Sequence, residues 1–144
     1  MLGNYSPKKI SVVVGLVPLI MFSDNSMVEL TEEDDDFKLY KGIDGTFSRA
    51  LNPGSVVMCK ISLQQTSPSN DHLTALRNAD KASGLFPFPV AVKDLNGTSL
   101  HSASHCFFKK GAGKKYGSAV QAVDWEIYMP NAISYNGGNV VFGI

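Results

Sequence analysis

The sequence predicts a mainly β fold, with two packed antiparallel sheets forming a small β-barrel or sandwich and one flanking α-helix. Three observations predict it. Several segments alternate apolar and polar residues with a period of two, which is typical of half-buried strands. Turn signals separate these segments, and one segment carries the start and stop signals of a helix. We expect this helix to cover an open edge or end of the β structure.

The most apolar stretch of the chain, Ile10 to Phe22, predicts one or two buried strands. A targeting segment is the alternative, because Lys8 and Lys9 precede the run. Strands are favoured because Val12 to Val14 is β-branched and no small-residue cleavage pattern follows. The run is also shorter than the roughly 20 apolar residues that span a bilayer.

Four further segments show the alternation of strands that bury one face. Their apolar residues are Val28 and Leu30; Phe37 and Leu39; Val57, Cys59, Ile61 and Leu63; and Val123, Trp125, Ile127 and Met129. The residues between them are mostly polar, so each segment predicts one face on the core and one toward water.

Glycine-containing turns separate the strands. Asp44-Gly45 and Asn96-Gly97 are dipeptides that two-residue hairpin turns prefer, because both central residues can take positive φ. Asn52-Pro53-Gly54 predicts a third turn. Gly111-Ala112-Gly113 marks a loop, and Gly137-Gly138 marks a terminal arm.

One helix is predicted over about 68–83. Ser67 is a suitable N-cap, and proline follows it at the first helical position, where its missing N–H costs nothing. Leu73 and Leu76 form an apolar stripe, and Gly84 supplies the stop. The polar residues expected to face water are His72, Arg77, Asp80 and Lys81.

The composition is that of one globular domain. The chain has 144 residues and a mass of 15.5 kDa, so we expect a single domain over 1–144, with a glycine-rich C-terminal arm at about 135–144. A hydrophobic content of 44% and a net charge of zero exclude global disorder. The balance of 13 basic and 13 acidic residues argues against a general nucleic-acid binder. Only 18% of residues are charged, and a sparsely charged, neutral protein is suited to association.

Charge is segregated along the chain although its sum is zero. One segment holds five consecutive acids, and another holds four lysines around a glycine-rich loop. The acids are Glu32, Glu33, Asp34, Asp35 and Asp36, and the lysines are Lys109, Lys110, Lys114 and Lys115. These are either two solvated loops or two complementary surfaces that meet between copies of the chain. In the second interpretation all nine are candidate inter-subunit or ring-stacking residues.

No segment carries the chemistry of an enzyme, a cofactor site or a metal site. Gly111-Ala112-Gly113-Lys114 lacks the first glycine and the Ser or Thr of a phosphate-binding loop. His101 and His105 lie four residues apart on a predicted strand, about 13 Å and too far to share one ion. No G-x-S-x-G motif anchors a hydrolase. We expect no catalytic, cofactor-binding or metal-binding residues, and two buried thiols, Cys59 and Cys106, in a reducing compartment.

Several motifs in a shared order resemble the tail tube proteins of tailed phages, commonly those with contractile tails. The most specific is Thr66-Ser67-Pro68-Ser69-Asn70-Asp71-His72-Leu73. Asn4 to Val12 is similar to the opening strand of that family, and Asp124 to Ile127 to its last core strand. Gly42 to Gly45 and Val92 to Thr98 are similar to its two hairpins. The resemblance covers nearly the whole chain.

The resemblance implies a fold like that of the haemolysin-coregulated protein of type VI secretion, and a structural role in the virion tail. Six copies would form a ring, sheet edges would join across subunits, and rings would stack head-to-tail into a tube. The implied partners are the tape-measure protein, tail terminator and baseplate proteins, and a sheath protein if the tail is contractile. The tube would be assembled in the host cytoplasm and would conduct DNA, with no membrane involved.

A DNA conduit should not bind its cargo. Each lysine or arginine on a phosphate adds affinity and would slow ejection. We therefore expect a lumen richer in acidic and neutral polar residues than in basic ones, with Glu29 as the candidate lumen residue and the run Glu32 to Asp36 as the alternative lining. Two other functions stay open: a non-polymerising β-barrel that binds, completes or decorates a virion or capsid, and a secretion-system tube subunit.

Overall fold

A computed structural model describes residues 1–139 and 141–142, which form twelve strands and one α-helix. The strands are β1 (Leu2–Gly3), β2 (Ile10–Val14), β3 (Val17–Pro18), β4 (Val28–Glu32), β5 (Phe37–Lys41), β6 (Phe47–Leu51), β7 (Val56–Gln64), β8 (Phe88–Asp94), β9 (Leu100–Lys110), β10 (Ala122–Pro130), β11 (Ile133–Tyr135) and β12 (Val141–Phe142). The helix α1 is Ser69–Ser83, and a single 3-10 turn, Pro7–Lys9, precedes β2.

Eight strands form one antiparallel sheet in the order β3-β2-β8-β9-β10-β7-β4, with β11 also paired to β9. The long strand β9 belongs to both halves of this sheet: its first part pairs with β8 and its last part with β10. The first layer is β3-β2-β8, and the second is β10-β7-β4. The strand order ends at β3 and β4, so the described sheet is not closed. The predicted mainly β fold with one helix is confirmed, as a sandwich rather than a barrel.

The core lies between the two layers and is built by alternation along the strands. The apolar residues predicted for β7 and β10 are all buried, with exposed fractions of 5% or less. Cys59 and Cys106 are also buried, as predicted, and neither forms a disulfide. Burial raises the pKa of the Cys59 thiol to about 12, with Cys106 adding to the shift, and raises that of Cys106 to about 11.

The apolar N-terminal stretch forms two strands, β2 and β3, as predicted. Val12, Val14 and Leu19 enter the core. The turn between the strands places Gly15 at φ +59° against the side chains of α1, where a Cβ atom would lie 3.0 Å from a methyl group of Leu76. This close approach brings the helix onto the end of the first layer.

The predicted helix starts one residue later than expected and ends where predicted. The N-cap position is therefore Pro68 and not Ser67, but the Ser67 Oγ still accepts a hydrogen bond from the first helical N–H, that of Ser69, at 3.2 Å. The same hydroxyl donates to the Ile20 carbonyl at 2.6 Å. Gly84 takes φ +72° and its N–H bonds to the Asp80 carbonyl, which terminates the helix.

The prediction that His72 faces water is wrong. Its side chain is half-buried, and Nε2 lies 2.8 Å from the Val14 carbonyl. The helix packs against the end of β2, so this imidazole meets an otherwise solvent-directed backbone oxygen. His72 is therefore one of the polar groups that fix α1 to the first layer.

The hairpin turns form at the predicted dipeptides but with longer loops. Gly42 and Thr46 are still hydrogen-bonded, which leaves three loop residues, and Gly45 takes φ +88°. Gly97, in contrast, does not take positive φ. Glycine is required there because the backbone of Gly138 lies so close that a Cβ atom would overlap it. The Asn96-Gly97 dipeptide therefore marks the turn as predicted, but glycine is needed there because of the nearby backbone and not because of a positive φ.

The segment 37–40 does not bury one face, contrary to the alternation rule. All ten residues of β5 and β6 are exposed, and the two strands form a separate two-stranded hairpin. We call this hairpin the arm. The base of the arm, which we call its root, is the run of five acids that begins at the last residue of β4. Burying that much charge against a core would cost free energy, so the arm lies outside the sandwich.

The C-terminal segment folds back over the β8–β9 loop and returns to the N-terminus. Asn139 donates from Nδ2 to Asp94 Oδ2 at 2.5 Å, and Val141–Phe142 pairs with Leu2–Gly3. The C-terminal segment predicted to be a glycine-rich arm, at about 135–144, is a different part of the chain from the β5–β6 arm. It lies within the described residues except at 140 and 143–144.

Candidate subunit interface

The acidic run lies at one end of the second layer and is fully accessible. Glu32 is the last residue of β4, and the next four residues connect it to the arm. All five side chains are exposed. Asn52, at the other side of the arm root, donates to the backbone carbonyls of Asp35 and Asp36, at 3.2 and 2.8 Å. This ties the two chains of the root together and leaves the carboxylates free to contact another molecule.

The four lysines lie on and after the last residues of β9, where the 111–121 loop begins. All four are exposed, and the loop and sheet enclose a cleft of about 610 Å³. The charged residues lining it are Lys60, Lys110, Lys114, Lys115, Asp124 and Glu126. Two ion pairs cross its floor, Lys110 to Glu126 at 3.8 Å and Lys60 to Asp124 at 4.0 Å. The remaining lysines leave the cleft basic.

The acidic and basic segments lie at opposite ends of the same layer. Glu32 is opposite Val57 at the start of β7, whereas Ala122, where the basic loop re-enters the sheet, is opposite Gln64 at its end. These β7 positions are about 23 Å apart at the usual rise per residue. The acidic run and the 111–121 loop therefore do not pair within one chain and lie toward opposite ends of the strands, whereas Lys110, level with Glu126 and Lys60, lies midway along the layer.

Glu29 lies on the outer face of the second layer. It is exposed and is opposite Lys60 in the register of β4 and β7. The neighbouring inward residues, Val28 and Leu30, pack against the core. The outer face also carries Asp124 and Glu126, which line the basic cleft together with Lys60 and Lys110, so the charge along it is mixed.

The arm presents an apolar face that the sequence analysis missed. Register places Phe37 opposite Leu51, Leu39 opposite Arg49 and Lys41 opposite Phe47 on one side, so two cations lie among the four large apolar side chains. These four large apolar residues are 47 to 69% exposed. Ile43 at the turn is also fully exposed. Isolated two-stranded hairpins are marginally stable in water, so this face needs a partner. Among residues 1–139 and 141–142 no second layer covers this face, and a local pattern cannot show such a difference from a core strand.

A second cleft opens at the unclosed side of the sandwich, with a volume of about 670 Å³. Val28 and Leu30 line one wall, and Val92 and His101 line the other. Burial lowers the pKa of His101, and the nearby carboxylate of Glu32 partly offsets this. Its Nδ1 lies 2.6 Å from Ser134 Oγ. The imidazole is therefore held as a structural group.

The described residues contain no group of three His, Cys, Asp or Glu side chains that could hold a metal ion. His101 and His105 both lie on β9, as predicted, but His101 is buried and His105 is exposed. A bulge in the β8–β9 register between them changes the face on which residues fall. In the described part of the chain, α1 is too short and too polar to cross a membrane.

Comparison with known proteins identifies one curated relative and several similar structures. Structural protein ORF10 of Pseudomonas phage KPP10 is 31% identical over 147 residues, covering 95% of this chain and 84% of the relative. No protein-family model matches the chain.

The fold is shared with chains of contractile injection systems. A chain in the anti-feeding prophage cap, described as a tube terminating cap, superposes with a TM-score of 0.62 at 10% identity, covering 94% of this chain and 95% of that one. A chain in the sheath-tube complex of the extracellular contractile injection system PVC gives 0.53 at 12% identity, covering 93% and 89%. A chain in the PVC sheath/tube terminator structure gives 0.50 at 10%, covering 92% and 97%.

Proposed function

Because the chain belongs to the family of phage structural proteins that includes structural protein ORF10 of Pseudomonas phage KPP10, we propose that it is the tube subunit of a bacteriophage tail. It is a structural protein and not an enzyme. Its copies form hexameric rings, and the rings stack head-to-tail into a hollow tube. This is the assembly that the tail-tube-like fold and the resemblance of its motifs favour.

The observation that carries the proposal is the placement of opposite charge at the two ends of one layer. A contact between the acidic end of one copy and the basic end of the next leaves an acidic and a basic end free again. Such a heterologous contact propagates without limit. The acidic run, Glu32 to Asp36, and the cleft beside Lys109 to Lys115 are thus the proposed stacking surfaces.

The arm strengthens the same contact. It leaves the sandwich at the acidic end, with its apolar face in water. At the basic end, Val120 and Met21 are 62% and 42% exposed and offer apolar surface next to the lysines. We propose that the arm of one copy lies on this end of the next, where acid meets base around an apolar contact.

The outer face of the second layer is the proposed lumen surface. Three acids, Glu29, Asp124 and Glu126, are interspersed there with Lys60 and Lys110. The acids interrupt the basic track, although Lys114 and Lys115 line the same cleft, so the cations that DNA in transit would meet are partly compensated. The tube would also hold the tape-measure protein, and would contact sheath, terminator and baseplate proteins in a virion tail assembled in the host cytoplasm.

A tube cap or terminator is the second candidate function. The observation that favours it is the TM-score of 0.62 with a chain of a tube terminating cap, against 0.53 with a chain of a sheath-tube complex. A cap would form rings that attach to a tube end and do not propagate. It corresponds to a non-polymerising completion protein.

Electron microscopy of the purified chain separates these functions. Stacked rings or tubes would support the tube subunit, single rings would favour a cap, and compact single particles would contradict both. In the variant Asp34→Lys/Asp35→Lys/Asp36→Lys, three lysines face the basic cleft of the next copy, so we expect stacking to be lost. Asp71→Lys, which reverses an exposed acid on the helix, should stack normally. Unaltered tubes in the triple variant would refute the stacking contact.

A further inference from the structure

A row of alternating charge crosses the outer face of the second layer. Glu29 of β4 is opposite Lys60 of β7, Lys60 is opposite Glu126 of β10, and Glu126 is opposite Lys110 of β9. Directly opposed residues in antiparallel strands share a face. The row therefore starts with an acid at one edge of the layer and finishes with a base at the other.

Both ends of the row lie on strand edges that no strand pairs with in residues 1–139 and 141–142. β4 is the last strand in the sheet order. On β9, pairing with β8 stops at Cys106, so the stretch from Phe107 to Lys110 pairs only with β10. The unpaired backbone groups of such edges are a template for a strand of another molecule.

Strand direction permits these two edges to meet between copies. Consecutive strands in β4, β7, β10 and β9 are antiparallel, so β4 and β9 run in opposite directions. A second copy in the same orientation, rotated about an axis, would place its β4 antiparallel to β9 of the first. A contact of this kind closes into a ring.

We propose that Glu29 of one copy pairs with Lys110 of the next copy in the ring, and that this pair sets the lateral register. The inference rests on the proposed function, since it needs rings of this chain. The charge row would then continue around the ring without two like charges meeting. A lysine reaches both the directly opposite residue and the next one along the same face. The pair therefore tolerates the stagger that a closed, tilted sheet requires.

The surroundings of Lys110 hold its ammonium group at the edge. Its side chain is 70% exposed, and Nζ lies 3.8 Å from Glu126 Oε2. That oxygen is buried and makes no hydrogen bond within the described residues. Attraction to Glu126 thus restrains Lys110 on the outer face before a neighbour arrives, beside an edge that pairs with no strand of the described residues and that Arg77 of α1 approaches at Gly111. A preorganised charge of this kind contributes to specificity more than to overall affinity.

Charge reversal in two variants tests the pair. In Glu29→Lys every junction opposes two lysines, and in Lys110→Glu every junction opposes two glutamates. Each variant alone should need about a tenfold higher protein concentration to form rings, as expected for about 1.4 kcal/mol. An equimolar mixture should restore ring formation with alternating subunits, because each junction then joins opposite charges. Lys93→Glu, which changes an exposed charge on β8 away from both edges, is the control.

Sedimentation velocity and negative-stain microscopy read out the rings, and the fluorescence of the single tryptophan verifies the fold of each variant. If either variant fails to fold, Glu29→Gln and Lys110→Gln replace the pair, and each should weaken ring formation and its dependence on salt. Folded reversal variants that form rings like the wild type, or mixing that restores nothing, would overturn the pairing alone. A wild-type chain that forms no rings would overturn the proposed function and the pairing with it.

Discussion

Asn70 connects the start of the helix to the second layer. Its Oδ1 accepts a hydrogen bond from Trp125 Nε1 at 3.0 Å, and its Nδ2 donates to the Gln64 carbonyl at 3.0 Å. Trp125 is only 5% exposed, so its indole N–H has little access to water. The motif by which the chain most resembles tail tube proteins thus has a structural function, because Ser67, Ser69 and Asn70 all bond to other elements.

Replacing Asn70 should destabilise the chain measurably. Asn70→Ala leaves the indole N–H buried without an acceptor, which we expect to cost about 1–3 kcal/mol of unfolding free energy. Urea denaturation followed by the fluorescence of Trp125 measures it. Asn78→Ala, at an exposed position of the same helix, should change stability by less than about 0.5 kcal/mol. Equal effects of the two substitutions would contradict the role of this hydrogen bond.

His101 should make stability depend on pH in a defined direction. Burial lowers its pKa in the folded chain below the ordinary value of 6.5, so the unfolded chain binds the proton more readily. Its contribution is fully present above pH 6.5 and is lost as the pH falls below that value, by at most about tenfold in the folding constant per pH unit. Denaturation at about pH 7.5 and 5.5 tests this. The variant His101→Gln should lose less unfolding free energy between these two pH values. An identical dependence of stability on pH in the variant and the wild type would contradict the role of His101.

At the scale of elements, local signals predicted what depends on local physics. β7 and β10 follow from alternation, and α1 follows from the Ser67 cap and the Gly84 stop. The arm could not be predicted, because Phe37 and Leu39 alternate as a core strand does and only the absence of a covering layer leaves them in water. The role of Gly97 was also missed, since it depends on a segment forty residues away.

The C-terminal segment should be held by the two glycines at that crossing. In Gly97→Ala the new methyl group overlaps the backbone of Gly138, which cannot yield as a side chain can. We expect a loss of about 1–3 kcal/mol and faster amide exchange at Thr98, whose N–H bonds to the Gly138 carbonyl. Gly113→Ala, with nothing near its Cβ position, is the matched control. An unchanged rate of amide hydrogen exchange at Thr98 in Gly97→Ala would contradict a close contact between the two backbone segments.

For the whole molecule, the sequence located the charged segments but not their relation. The run of five acids and the group of four lysines can be read directly from the sequence. That they face opposite directions depends on the register of β4, β7 and β10, which brings residues 32, 57 and 130 to one end and 64 and 122 to the other. Long-range strand order is not encoded in a local pattern, so the relative position of the two segments could be known only from the fold, and their role as contact surfaces stays a prediction.

A chain that conducts DNA should not retain it. With a net charge of zero and acids interspersed on the proposed lumen face, we expect the assembled protein to pass through a double-stranded DNA column at about 0.15 M salt. Asp124→Lys, which places a cation on that face, should delay elution. Retention of the wild-type protein under these conditions would count against a conduit.

The exposed arm also has a consequence for when assembly begins. A first pair of copies loses its independent motion in exchange for one contact, whereas a copy that joins the end of a tube makes the arm contact with the ring below and lateral contacts within its own ring. If arms dock between copies as proposed, growth is therefore nucleated. Free subunits would persist below a critical concentration, and above it polymer would appear after a lag that preformed ends abolish. A phage could then determine where tail assembly starts by providing a preformed end on which the subunits grow.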